Sequence, residues 1–588
     1  MKLYIKLSCA VMIAVGVGTT GCHKLLEESP KSGVYTTIFN TPSGLLGGIS
    51  GVYNDIRSLW GTEGWEAQLL AGTDEVLEGA SASSTDFYTY NPLLSTDENG
   101  GLWNIAYQDI NTINGILQFG QNIAIDSATK QLYFGQCKFL RAFYYLHLVQ
   151  NWGAVPLHLT YITTPTLSDS RQPIDSVYAQ IIQDLTDAST ELSPTPTAPF
   201  LGKPATQAVA LYLLGKTYLS RGYTTAGSAA DFTTAATILT NLINNASTYG
   251  LGLWPDYAQA FMPANDYGQE TMFVSDHDND PKYGQYTVGG SASGGAAQNL
   301  EPWFFIFNYP SVGVNAAVSG GVLKTAGPDM MARDIYNGRP YIRTRPNNAY
   351  ILGQAFADTT NDSRFYKTFQ TAWIANTAGV TGTRGTLTVG VDTAIWVPPY
   401  EVSGAPQADS GRPFKGIIIP PSLQGKSYFF VVKKFMDPSR PAADFNDPST
   451  RPFVLYRFSD VYLLAAEAYF KAGDNVNAAK YINVIRERAA YKSWQTPTQN
   501  ANSATAADIQ PSQVTLDFIL DERTREFYAE GLRWFDLART QSLVERVLMW
   551  NPVEAGAYIQ PYHQLRPIPQ TEIDAITEGP AFPQNTGY

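Results

Sequence analysis

The densest set of groups able to do acid–base chemistry is Asp521-Glu522-Arg523-Thr524-Arg525-Glu526-Phe527-Tyr528-Ala529-Glu530, continuing to Arg533, Asp536 and Arg539. On a helix Glu522, Glu526 and Glu530 share one face, with Arg525 and Arg533 in reach at i,i+3 or i,i+4 spacing. Two carboxyl groups about 5 to 10 Å apart across a sugar would be the machinery of a glycoside hydrolase. An arginine beside each acid keeps it ionised, however, and spoils it as a proton donor. The simpler reading is an ion-pair network that locks helices together.

The other chemical signatures are incomplete. Gly215-Lys216-Thr217 and Gly425-Lys426-Ser427 end like phosphate loops, but Ala210 and Pro420 stand where the earlier glycine belongs. Five histidines, none in an H-E-x-x-H pattern, give no zinc site, and no serine occupies a G-x-S-x-G elbow. Asp276, Asp278 and Asp280 alternate like the start of a calcium loop, yet Pro281 replaces the turn glycine and the terminal glutamate is missing. A solvated acidic loop is the better reading. No cofactor and no metal are expected.

The elements that must position these groups are mainly α-helical. Trp103, Ala106, Tyr107, Ile110, Ile113 and Leu117 share one helical face, and Leu140, Phe143, Tyr144, His147 and Leu148 repeat the pattern until Gly153 and Pro156 stop it. His147 on that apolar face reads as a satisfied core histidine, and Cys137 as a small buried hydrophobe. Leu214-Gly215-x-x-Tyr218 with Ala235-Ala236 resembles the tetratricopeptide pattern, in which a small residue lets paired helices approach. Val461 to Tyr469 and Ala478 to Ile485, separated by Gly473, form a second such pair. Helical repeats are thus expected at about 101–248 and 453–548. Between them, residues 249–452 form a long loop-rich insertion, dense in aromatics, with short apolar runs such as Thr271–Val274 and Tyr428–Val432 that could be strands.

Forty basic against 52 acidic side chains give a net charge of -12, which argues against a nucleic-acid partner, whose phosphates would demand a basic stripe. Aromatics make up 13% of the 588 residues and tyrosine leads them, a surplus that suits rings on display. Lys2 and Lys6 followed by apolar Leu7–Val17 read as a secretory signal over residues 1–21, too short to span a bilayer. Thr19-Thr20-Gly21 before Cys22 resembles a bacterial lipoprotein cleavage site, with Thr19 where leucine is usual. Cys22 is then acylated and residues 22–33 form a tether; ordinary signal cleavage near Gly21 is the alternative.

Across 34–588, read as one domain, the chain resembles the SusD/RagB family of glycan-binding lipoproteins. The residues that carry the likeness are Phe139-Leu140-Arg141-Ala142 running to Trp152-Gly153-Ala154-Val155-Pro156-Leu157, Arg457-Phe458-Ser459-Asp460 through Ala468, and Asn483 to Ala489. Arg533-Trp534-Phe535-Asp536-Leu537-Ala538-Arg539, Arg566-Pro567-Ile568-Pro569 and the ending Gln584-Asn585-Thr586-Gly587-Tyr588 add to it, with Thr586 where the family usually has proline. The resemblance implies a tetratricopeptide-like scaffold anchored in the outer membrane and facing outward. It implies a non-catalytic protein that captures an oligosaccharide or similar nutrient and passes it to a SusC-like TonB-dependent barrel.

These motifs are scaffold, so the site must be sought from physics. A neutral sugar offers hydroxyls in its plane and C–H faces above and below, and needs aromatic faces edged by polar groups. Two segments supply that mixture: Asp86 to Asn91, with Tyr88 and Tyr90, and Trp303 to Tyr309. Trp65, Asp74, Trp373 and Trp396 are weaker candidates. Three readings stand: a binding protein serving a transporter, a surface glycoside hydrolase, and a structural helical-repeat adaptor. The anchor is testable by itself. Because one acyl chain holds a protein to a membrane only marginally while two or more hold it firmly, removing the acylated residue by Cys22→Ser is expected to move the protein from the membrane to the soluble fraction; fractionation showing it still membrane-bound would overturn the anchor.

Overall fold

The computed structural model describes residues 38–97, 101–164, 166–277, 299–382, 385–406 and 414–588. Cys22, the signal, the tether, Asp278, Asp280 and the Gly289–Gly295 stretch lie outside them. Ahead of the insertion come α1 (Pro42–Ile56), α2 (Glu63–Leu70), α3 (Gly101–Phe119), α4 (Ser127–Trp152), α5 (Ile174–Glu191), α6 (Gln207–Gly222) and α7 (Ala229–Asn244). Within it lies the short α8 (Glu301–Phe304). After it come α9 (Phe458–Lys471), α10 (Asn475–Ala489), α11 (Pro497–Ala507), α12 (Leu516–Phe527), α13 (Arg533–Arg539) and α14 (Leu543–Trp550). The strands used below are β1 (Val76–Glu78), β2 (Thr271–Ser275), β3 (Gly313–Ser319), β4 (Val322–Asp329), β5 (Thr344–Pro346), β6 (Ala372–Ile374), β7 (Thr393–Trp396) and β8 (Phe453–Arg457).

The helix boundaries follow from local chemistry. Thr41 caps α1 by accepting the Gly44 N–H at 3.1 Å with Pro42 at the first helical position, and Asp126 caps α4 by accepting the Thr129 N–H at 2.9 Å. Gly473, at φ +84°, ends α9, and Asp474 behind it caps α10. Within the α6–α7 hairpin, a Cβ on Gly215 would lie 2.7 Å from the Leu239 side chain, so the small residue is what permits this approach.

α4 packs on α5, α5 on α6, α6 on α7, and α7 on α9, which pairs in turn with α10. The helical array therefore runs on across the insertion as though it were absent. The insertion leaves and returns through one antiparallel ribbon, in which β2 pairs with β8 from Phe453 opposite Ser275 to Arg457 opposite Thr271. The expected strand at Thr271–Val274 is β2, and all five of its residues are buried, which is why Met272, Phe273 and Val274 follow one another without polar alternation. Of the run Tyr428–Val432, Val431 and Val432 pair with Gln370 and Phe369, and Tyr428 makes an isolated bridge to Gly425.

The glutamate–arginine stretch does form an ion-pair network, though not the one its spacing suggests. Helix α12 stops at Phe527; Ala529 and Gly531 take positive φ (+65° and +74°), so Glu530 leaves the helix. At Gly531 a Cβ would come within 2.8 Å of Leu69, so the break lets α2 dock. Arg533 turns away from the glutamates and binds Asp74, at 2.7 and 2.6 Å, and Arg546 takes the same carboxylate at 2.8 Å. Burial would raise the Asp74 pKa, but the two guanidinium groups outweigh it and hold the carboxyl below its ordinary value.

One pair of acids has no such support. Glu66 on α2 is buried with no hydrogen-bond partner for either oxygen, and Glu301 on α8 is buried beside it. Burial pushes the Glu66 carboxyl up to about 8, and burial with the Glu66 charge raises Glu301 as well. An unfolded glutamate ionises near pH 4.3 (roughly), so the stability this site allows is complete below that pH and is lost as pH rises towards about 8. Glu66→Gln is expected to flatten the decline and to stabilise the fold by a few kcal/mol near pH 8, at about 1.4 kcal/mol per pKa unit. Parallel melting curves for the two proteins between pH 5 and 8 would show that Glu66 ionises normally.

Candidate functional site

Seven of the candidate positions are buried and present no ring or carboxylate to solvent: Trp65, Asp74, Tyr88, Tyr90, Trp303, Tyr309 and Trp373 are each at most 4% exposed. Trp65 packs edge-on to Trp60 at 5.6 Å in the helical core. Asp74 is consumed by Arg533 and Arg546. Tyr90, at φ +58°, gives its hydroxyl to the Gly72 carbonyl at 3.1 Å and lies on His563. The expected exposed platform is corrected on this point. The physical reason is that the insertion is large enough to need its own core, and the rings at 303–307 and 309 are that core.

Even so, the structure brings the early loop and the insertion together. Residues 341–343 lie along the 303–306 segment, with the Tyr341, Ile342 and Arg343 N–H groups donating to the carbonyls of Trp303, Ile306 and Phe304 at 3.2, 3.0 and 3.0 Å. On the other side the Gly79 N–H donates to the Arg343 carbonyl at 2.9 Å, β1 pairs antiparallel with β5, and the Tyr88 hydroxyl bonds Thr344. Tyr88 and Trp303 are thus joined through one strip, as buried supports beneath it.

The strip itself carries the accessible groups. Tyr341 is half-buried, with the Arg343 guanidinium 4.9 Å and the Arg339 guanidinium 5.4 Å from its ring. Arg339 also lies 4.9 Å from the Trp303 ring, which it covers. Arg343 is aimed by Glu63 (2.5 and 3.2 Å) and by the Ser81 carbonyl (2.6 Å), while Arg339 donates to the Asn446 carbonyl at 2.8 Å. Arg333 donates to the Asn446 side chain. Burial, and then the neighbouring Arg339 charge, lower the Arg333 pKa.

Tyr336, 69% exposed, projects from a turn whose Asp334 carboxylate accepts the Tyr336 and Asn337 N–H groups. Buried Tyr309 holds that turn, accepting the Asp334 N–H at 3.2 Å and donating to the Gly338 carbonyl at 2.9 Å. Trp373, on β6, meets Phe307 edge-on at 5.0 Å beneath the same region.

Rings alternating with planar five-donor cations can cover the C–H face of a sugar and grip its hydroxyls at the edges. The sequence signal for this site is Arg339-Pro340-Tyr341-Ile342-Arg343, in which two arginines flank an aromatic at alternate positions; Ile342 takes a positive φ (+56°), so the segment turns there and does not run as a strand. Trp396 is the one named aromatic left half-buried; it lies 6.1 Å from exposed Tyr400 and 6.1 Å from Phe414.

The fold is that of a helical-repeat scaffold interrupted by a long loop-rich insertion. The chain belongs to the SusD/RagB family: the sequence profile of the SusD family matches residues 353–588, and that described as "Starch-binding associating with outer membrane" matches 24–219. SusD-like protein P2 of Formosa agariphila is 25% identical over the full length of both chains. The starch-binding protein SusD of Bacteroides thetaiotaomicron is 29% identical over 137 residues, 23% of this chain and 21% of its own. Among solved structures, a laminarin-binding SusD-like protein superposes with a TM-score of 0.63 at 20% identity, over 93% of this chain and all of that one. A SusD homolog from B. thetaiotaomicron gives 0.65 at 20%, over 93% and 97%. The tetratricopeptide-like, mainly helical fold is therefore shared with these proteins.

Because Trp303 is floor and not surface, Trp303→Ala is expected to lower stability by about 3–5 kcal/mol, the usual cost of emptying a large aromatic site. Chemical denaturation showing less than about 1 kcal/mol would place that ring outside the core.

Proposed function

We propose that this protein captures a polysaccharide or oligosaccharide on the strip 333–343 and delivers it, uncleaved, to a SusC-like TonB-dependent barrel. It does so as a lipoprotein held in the outer membrane by Cys22 and facing outward. The observation that carries the reading is the pair Tyr341 and Tyr336 set among Arg333, Arg339 and Arg343 on a strip whose backbone is fixed on both sides. Two relatives support a glycan as the ligand class, one named for laminarin binding and one for starch binding. The family description "associating with outer membrane" supports the location.

The chemistry of the acids favours binding over cleavage. Of the carboxylates at the strip, Glu63 is tied to Arg343 through both oxygens and Asp334 accepts the Tyr336 and Asn337 N–H groups. Burial would raise Glu522 and Glu526, but Arg364, Arg486, Arg488, Arg457 and Arg525 outweigh it, so both stay ionised and cannot serve as proton donors. Four acids that burial pushes well up, Glu66, Glu75, Asp109 and Glu301, are sealed in the interior.

Affinity electrophoresis against a polysaccharide panel identifies the ligand, and calorimetry then locates the site. Tyr341→Ala and Tyr336→Ala are expected to weaken binding by about 1–3 kcal/mol each with melting temperature nearly unchanged. Loss in Trp396→Ala or Tyr400→Ala, with Tyr341→Ala unaffected, would move the site to the other aromatic surface. Chromatography after long incubation tests the second half, since protein-dependent shorter sugars would make the protein a hydrolase.

A further inference from the structure

A cavity of about 380 Å³ opens between the second half of α1, the loop 199–204 and the end of β2, and none of the strip residues lines it. Its walls are the rings of Tyr53 and Phe200, 6.2 Å apart, and its rim carries the exposed Ser50 and Asn54. The Tyr53 hydroxyl is held in place by donating to Gln136 and accepting the Ala205 N–H at 3.0 Å, so this wall is rigid.

Two cations, Arg57 and Lys203, line the cavity against one acid, Asp276. Lys203 has no hydrogen-bonding or ionic partner among the described residues, and burial alone pushes its ammonium down to about 8. The Arg57 Nε is buried without a partner, although one terminal nitrogen donates to Asn54, and burial lowers its pKa too. Asp276 is engaged by the Tyr267 hydroxyl. Arg57 has both Asp276 and Asp55 within electrostatic reach, so among the described residues the positive charge left uncompensated is that of Lys203, in a protein whose net charge is -12. A partly buried cation without a counter-ion is costly, and that cost is relieved by an anion brought in from outside.

We propose that this cavity is a second ligand site, independent of the strip, that takes an acidic sugar: a pyranose ring bearing one carboxylate. The carboxylate meets Arg57 and Lys203, the C–H face of the ring lies on Phe200 and Tyr53, and hydroxyls reach Ser50 and Asp276. The volume matches the small end of ligand pockets, about 300 Å³ and upward.

Calorimetry on the full chain with D-glucuronate, D-glucose and acetate as probes tests the assignment. D-glucuronate is expected to bind saturably and at least about tenfold more tightly than either of the others, a gap of about 1.4 kcal/mol. Lys203→Gln should reduce that binding by about tenfold or more, as expected for a lost charge-assisted contact, and Ser50→Trp, at an exposed rim position, should block it with an unchanged melting temperature. Acetate binding as well as glucuronate would overturn the sugar assignment, and glucose binding as well would overturn the role of the charge. Wild-type affinity in both variants would place the ligand elsewhere. Tyr341→Ala should leave glucuronate binding intact and Lys203→Gln should leave polysaccharide binding intact, so failure at one site is separable from failure at the other.

Discussion

Arg457 is 3% exposed and holds three carboxylates from two parts of the chain: Glu270 at 2.6 Å, and Glu526 at 3.1 Å with Glu530 at 2.7 Å. It stands where the neck strand β8 becomes helix α9, opposite Thr271 on β2. Burial disfavours its charge, but the three acids outweigh burial and raise its pKa well above the ordinary value. The neck of the insertion, the helical array and the turn after α12 thus meet at one guanidinium. Removing one partner from such a cluster leaves a buried charge uncompensated, which costs about 3–5 kcal/mol.

The same device recurs outward from that point. Arg364, inside the insertion, binds Glu522 and Glu526; Arg523 binds Asp460 on α9 and Asp536 on α13; Arg533 and Arg546 fix Asp74 just ahead of β1. Hydrophobic contact supplies most of the cohesion, but it is non-directional. Paired guanidinium and carboxylate groups have fixed geometry, and they set how the insertion and the segment 71–78 sit on the helices. Since β1 pairs with β5, and β5 continues directly from the strip 333–343, the orientation of the accessible tyrosines traces back to this network.

The sugar-binding role proposed for the strip sets two needs in conflict. A surface that grips a sugar needs accessible rings, whereas a loop-rich module of this size needs buried ones to stay folded. The module separates them by layer: Trp303, Tyr309, Trp373 and Tyr88 lie below, and Tyr336, Tyr341 and the arginines lie above. The lower layer still serves the upper one, since Tyr309 holds the turn that presents Tyr336 and Tyr88 bonds the strand after Arg343.

What the sequence alone determined was everything that depends on short-range periodicity and stereochemistry. The helices around Leu140 and Val461, the stop at Gly473, the close approach at Gly215, the buried β2 run, and the core roles of His147 and Cys137 are all legible, because each depends on neighbours within a few turns or on side-chain polarity. The depletion of free carboxylates at 521–539 was legible too, but its partners were not. Arg533 lies three residues from Glu530 in sequence, yet a positive-φ break at Ala529 and Gly531 sends it to Asp74, more than four hundred residues away. Exposure was the quantity only the tertiary structure could decide. Composition marks the insertion as rich in aromatic rings, but whether a ring faces water depends on which distant segment covers it, and residues 303–309 are covered by 338–343, which no local pattern encodes.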